Sequence, residues 1–160
     1  MQTLNRTPEV AEPLAARSRW LGILSRAPSA DVEAVAGAYV DNLNFEWLRR
    51  PHVGLVMVRG RAGGTGQVFN LGEMTVTRCS VQLGDGTVGH GYAQGRSKRQ
   101  AQIAALIDAL LQDGIRRSEL LAHVVEPLAA AETARRVERS RKAASTKVDF
   151  FTLVRGENPK

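Results

Sequence analysis

The sequence predicts an α+β domain: N-terminal helices, a small antiparallel β-sheet with a glycine-rich hairpin, then a long amphipathic helix and a basic C-terminal helix. Three observations predict it. Apolar residues recur at helical spacing near the N-terminus and again after Ser97. Between these stretches the pattern becomes an alternation, with Thr75, Thr77, Cys79, Val81 and Leu83 on one face. Gly84-Asp85-Gly86 then supplies a hairpin turn, because glycine and Asp tolerate the positive φ of a tight reversal.

Residues 1–13 hold two prolines and little apolar pattern, and are expected to be mobile. A single domain is expected over 14–156, with 157–160 as a tail. Leu14, Trp20, Leu21 and Leu24 place a first helix that ends near Ala27-Pro28. A second runs from about Ser29 to Leu43, striped by Val32, Val35, Ala36, Tyr39 and Val40, with Asp31 and Glu33 suiting its amino end. Phe45 to Arg50 fits either a strand or a turn closed by Pro51, and Val53 to Arg59 reads as a strand. Arg61-Ala62-Gly63-Gly64-Thr65-Gly66 breaks regular structure. On the return strand from Thr87 to Gln94, Gly89, Gly91 and Ala93 leave one face nearly bare, so another backbone or helix can come close. Ser97 caps the clearest helix, in which Ile103, Leu106, Ile107, Leu110 and Leu111 form the apolar stripe and Gly114 marks the end. Ile115 to Glu126 reads as a short helix or loop stopped by Pro127, and Leu128 to Lys147 as an exposed basic helix. Val148 to Gly156 turns apolar and aromatic, with Phe150 and Phe151 adjacent.

Composition bounds the function. A chain of 160 residues, 43% hydrophobic and 24% charged, is one globular domain able to bury a core. No stretch has the ~18 apolar residues of a membrane helix, and the first ten residues lack a signal-peptide core. One cysteine, Cys79, excludes an internal disulfide and any multi-cysteine metal or iron–sulfur site within the chain. A cytoplasmic protein is expected. The net charge of +6 makes an anionic partner plausible, and the excess is densest in residues 51–100, with six basic and two acidic side chains. Eighteen of the 22 cations are arginines, whose forks grip phosphate and carboxylate oxygens in pairs.

Two segments could hold an anion. Around Gly63, Gly64, Thr65 and Gly66, successive amides can converge on a phosphate, with Arg59 and Arg61 beside them; a flexible inter-strand loop explains the same residues. The Lys-Ser/Thr pair of a P-loop is absent. At Gly95-Arg96-Ser97-Lys98-Arg99, cations crowd the positive end of a helix, which either binds an anion or is a cap with solvated side chains. His52, His90 and His123 show no metal-ligand spacing and read as structural or surface residues. Asp85 belongs to its turn. Cys79 reads as a buried, inert thiol. No catalytic or metal-binding set stands out.

Two family resemblances follow. Gly89 to Ala101 resembles the glycine-rich strand and helix start of a double-stranded-RNA-binding domain, which implies a non-enzymatic module that grips phosphate backbones. A much longer stretch resembles the G subunit family of the bacterial carbon–phosphorus lyase system, PhnG. It includes Trp20-Leu21-Gly22-Ile23-Leu24-Ser25, Arg61 to Gly66, Phe69 to Cys79, Gly89-His90-Gly91-Tyr92, Gly95-Arg96, Leu106 to Leu110 and Val148 to Gly156. That resemblance implies an accessory, non-catalytic subunit of phosphonate catabolism, assembled with the H, I and J subunits in two copies each. With H, I and the L protein it would serve a transferase that replaces the adenine of ATP by a phosphonate. It implies no cofactor on this chain, ATP being a substrate of the whole assembly. The expected anion contacts are Arg61, Gly63, Gly64, Thr65, Gly66, Arg78, Arg96 and Ser97, and the expected partner interface is Gly89, Gly91, Phe150, Phe151 and Arg155. Alone, the chain would pair its exposed apolar surface in a homodimer. Nucleic acid and membrane partners are not expected.

Overall fold

The computed structural model describes residues 11–145, and the expectations for residues 1–10, for the tail with Phe150, Phe151 and Arg155, and for 157–160 lie outside them. The described chain runs α1 (Ala11–Arg26), α2 (Ser29–Val40), β1 (Phe45–Arg61), β2 (Val68–Leu83), β3 (Val88–Gln94), α3 (Lys98–Gln112), α4 (Gly114–Leu120) and α5 (Glu126–Ser145). The strands form one antiparallel sheet in the order β1-β2-β3. This is the expected α+β arrangement. No described helix is long and apolar enough to cross a membrane.

The core lies between one sheet face and the helices. Ile103, Leu106, Ile107 and Leu111 of α3 are fully buried with Leu24 of α1, Val32 of α2 and Val81 of β2. Cys79 joins them, its thiol donating to Ala101 O at 3.1 Å. Burial pushes that thiol up to about 11. Native protein should therefore resist thiol-specific labelling at pH 8, with labelling appearing only in step with unfolding; rapid labelling of the folded chain would contradict the buried placement.

The glycine face of β3 is close-packed within the chain. Gly89 and Gly91 back onto the small residues Ala101, Ala105 and Ala109 of α3, and a Cβ at Gly91 would lie 2.9 Å from Ala105 N and closer still to Ala101 O. That corrects the expectation that Gly89 and Gly91 meet a partner. The bare face does receive a helix, but the helix is α3.

A buried carboxylate ties three elements together. Asp108 of α3 is 0% exposed and accepts hydrogen bonds from Arg17 Nε (3.1 Å) and Nη2 (2.7 Å), Trp20 Nε1 (2.9 Å) and the His90 backbone N–H (2.8 Å). Surface ion pairs Arg19–Glu126 and Arg26–Glu132 then run α5 alongside α1.

Two prolines behave differently from expectation. Pro51 lies inside β1, which is continuous from Phe45. It is tolerated because β1 is an edge strand whose register slips between Trp47 and Arg49 and again between Arg49 and His52, so no ladder bond is demanded there. Pro127 does not stop the helix. One π turn over Leu121–Val125, with Glu126 N–H reaching Leu121 O, widens the coil just before the ring, where an α-helical turn would clash. α3 ends just before Gly114, as expected, and does so through Asp113, which in extended backbone closes α3 and caps α4 by accepting from Ile115 N–H at 3.0 Å. The turn at Gly84–Gly86 forms as expected, with Gly86 at φ 87 and Thr87 N–H donating to Asp85 Oδ1 at 2.9 Å. That backbone hydrogen bond holds the Asp85 carboxyl below its usual range.

β1 and β2 outrun the rest of the sheet. β3 pairs with β2 only from Val76 to Gln82, whereas β1 and β2 stay paired out to Arg61 and Val68. The excess, from Leu55 and Thr75 to the tip, is a two-stranded ribbon roughly 23 Å long.

Candidate functional site

The anion contacts expected from sequence do not form one site. Arg61 to Gly66 sits at the ribbon tip, while Arg78 lies on β2 at the level of His52, ten residues from Val68 and so roughly 30 Å away. Arg96 and Ser97 belong to the turn between β3 and α3.

The glycine loop does not make the expected cradle. Gly63 and Gly64 take positive φ of 58 and 81, but the Thr65 and Gly66 amides both turn back to Ala62 O. Arg61 Nη1 donates to Gly66 O at 3.2 Å and closes the loop on itself. The helix start is similarly occupied. Ser97 Oγ accepts from Gln100 N–H at 3.1 Å and pairs with Ser29 Oγ at 2.9 Å, where the first turns of α2 and α3 meet. Arg99 is clamped by Glu33, with Asp41 beside it, and these hydrogen bonds raise its already high pKa. The phosphate and RNA readings of this segment both lose that cation. Arg96 and Lys98 stay exposed.

The sheet face turned away from α3 offers a better-organised surface. Side chains of directly paired residues point the same way, with Cβ atoms about 5 Å apart. Arg49, Ser80 and His90 form one row across the three strands, and His52, Arg78 and Tyr92 form the next. No carboxylate belongs to either row. Ser80 Oγ and His90 Nδ1 are 2.9 Å apart. Arg78 is half-buried, and its Nε is shut off from solvent without a hydrogen-bond partner, the one such side-chain atom among the described residues. A desolvated guanidinium donor with nothing to bond favours an oxyanion. Beside Tyr92, an open groove of about 300 Å³ is walled by Leu21, Val56, Met74 and Val76. The larger hollow near the Gly84–Gly86 turn, about 530 Å³, has Glu46 as its charged lining residue and repels anions.

These two rows can grip anionic oxygens, but they hold no complete catalytic set. Among the described residues no carboxylate reaches the other nitrogen of His90 to orient it, so Ser80 and His90 lack the third member of a nucleophilic triad. Nor does any described group of three His, Cys, Asp or Glu side chains suit a metal ion. Arg78 was legible as a cation in an alternating strand. Its β1 companions, Arg49 and His52, were not, because the two register slips in β1 decide which residues face it.

A family model described as "Phosphonate metabolism protein PhnG" matches residues 15–156. A protein of Rhizobium meliloti (strain 1021), named alpha-D-ribose 1-methylphosphonate 5-triphosphate synthase subunit PhnG, is 41% identical over 145 residues, covering 91% of this chain and 92% of the relative.

Proposed function

This chain belongs to the PhnG family of phosphonate metabolism proteins, and on that premise we propose that it is an accessory subunit of a cytoplasmic synthase. The reaction joins a phosphonate to the ribose of ATP. A phosphonate oxygen bonds to the anomeric carbon as the bond from that carbon to adenine breaks, and adenine leaves with a proton. The product keeps its triphosphate. The partners are the H, I and J subunits of the carbon–phosphorus lyase assembly, two copies of each, with the L protein needed for turnover.

Catalysis is assigned to a neighbouring chain. The observation that carries this assignment is the cationic face around Arg78, which has anion-binding groups but no oriented base or nucleophile. Both substrates are anions rich in phosphoryl oxygens, which suits a desolvated arginine with His52, His90 and Tyr92 around it. Arg78 is thus a binding residue and Ser80 with His90 supports its surroundings. Arg61, Gly63, Gly64, Thr65, Gly66, Arg96 and Ser97 lie apart from this face and are not assigned to it.

Reconstitution tests the proposal. Arg78→Glu should lower adenine release by the assembled synthase at least tenfold while the subunits still co-elute on size exclusion. The charge change removes an anion contact worth about 1.5–3 kcal/mol and adds repulsion. Full turnover with Arg78→Glu would remove this face from the function, and loss of assembly alone would make it structural.

A further inference from the structure

We infer that the β1–β2 ribbon is a docking tongue, inserted into a cleft of a neighbouring synthase chain that offers an apolar wall and opposing Asp or Glu carboxylates. The inference rests on the accessory-subunit reading above and adds to it where the contact is made and with what chemistry.

The ribbon has two unlike faces. Val56 pairs with Met74, Val58 with Gly72 and Gly60 with Phe69, so these positions share the sheet face turned away from α3. Leu71 is the extra residue at the register slip between Val58 and Arg59, and it lies with the Phe69 ring over Gly60. Val56, Val58, Met74, Phe69 and Leu71 therefore form a continuous apolar stripe, most open at its tip, where Phe69 is 45% and Leu71 65% exposed. Exposed apolar patches of this kind, rimmed by polar groups, mark protein contacts. A bare two-stranded ribbon is also only marginally stable in water and gains from being covered.

The other face is cationic at the tip. Arg59 pairs with Asn70 and Arg61 with Val68, which turns both arginines away from the stripe. The distribution of ion pairs selects the occupant. Among the described residues, every salt bridge lies in the helical layer, using Arg17, Arg19, Arg26, Arg99, Arg135 and Lys142. Among the described residues, neither Arg59 nor Arg61 has a carboxylate partner. A second copy of this chain would bring its own unpaired arginines to the contact, and like charges oppose that pairing. A chain whose cleft is apolar on one side and acidic on the other satisfies both faces at once.

The experiment co-expresses the chain with the other synthase subunits and measures co-purification, together with amide hydrogen exchange of the chain alone and in the complex. Phe69→Asp with Leu71→Asp should weaken association at least a hundredfold. Both positions are exposed, so the melting transition should not move. Arg59→Glu with Arg61→Glu should weaken it at least tenfold. In the wild-type complex, amides of residues 55–61 and 68–75 should gain protection. If the wild-type chain binds the subunits and the stripe variant binds equally well, the inference fails while the accessory reading stands. If the wild-type chain binds none of them, both fail. A homodimer broken by the stripe variant, with synthase binding untouched, would name a second copy as the occupant and overturn the inference. So would ribbon protection in the isolated chain that disappears when residues 146–160 are deleted.

Discussion

Alanine at Gly91 is expected to destabilise the chain by about 3 kcal/mol or more, enough to leave much of it unfolded if its total stability is near the lower end of ~5–15 kcal/mol. The added methyl meets backbone, not a flexible side chain. Ala101 O and Ala105 N both sit inside its contact radius, and neither can move without shifting α3. Since α3 supplies Ile103, Leu106, Ile107 and Leu111 to the core, a shift there loosens the whole interface. Alanine at Gly89 should act the same way, because it meets Ala105 O and Ala109 N. Gly84→Ala is the control, with open space around it and no positive φ. Urea melts of the three variants would decide the point. A Gly91→Ala midpoint equal to that of Gly84→Ala would mean that the close packing is not there.

Asp108→Ala should cost roughly 3–5 kcal/mol, the range for removing one partner of a buried ion pair. Its removal strands three donors: the Arg17 guanidinium, the Trp20 indole and the His90 amide. Arg17 is 29% exposed on its side chain and can turn partly to water, which tempers the loss. Trp20 and the His90 amide cannot. Asp108→Asn keeps the shape and one acceptor, so it should fall between wild type and Asp108→Ala. Tryptophan fluorescence followed through thermal unfolding checks the order. Equal stability of all three proteins would show that the carboxylate is dispensable.

The elements with a strong local signal were readable from sequence. The stripe on α3, the Ser97 cap and the Gly84–Gly86 turn each follow from a rule that acts within a few residues. Elements that depend on tertiary context were not. Pro51 continues a strand because β1 has a free edge, and Pro127 continues a helix because of a π turn just before it. Neither condition is written in the neighbouring residues. The glycines of β3 were correctly read as an approach surface, yet pattern alone does not say whose helix approaches. The candidate site shows the same division. Arg61, Arg78 and Arg96 were each visible as cations, but their separation along the long ribbon depends on how far β1 and β2 stay paired. His52, His90 and Tyr92 join Arg78 only through strand register.

Adenine release from ATP in the presence of methylphosphonate tests the accessory role most directly. It would be measured for this chain alone, for the remaining synthase proteins without it, and for the complete set. The account predicts no release by the purified chain, little by the remaining proteins, and full turnover once they are combined. Sustained release by the chain alone, or undiminished turnover without it, would contradict the role assigned here.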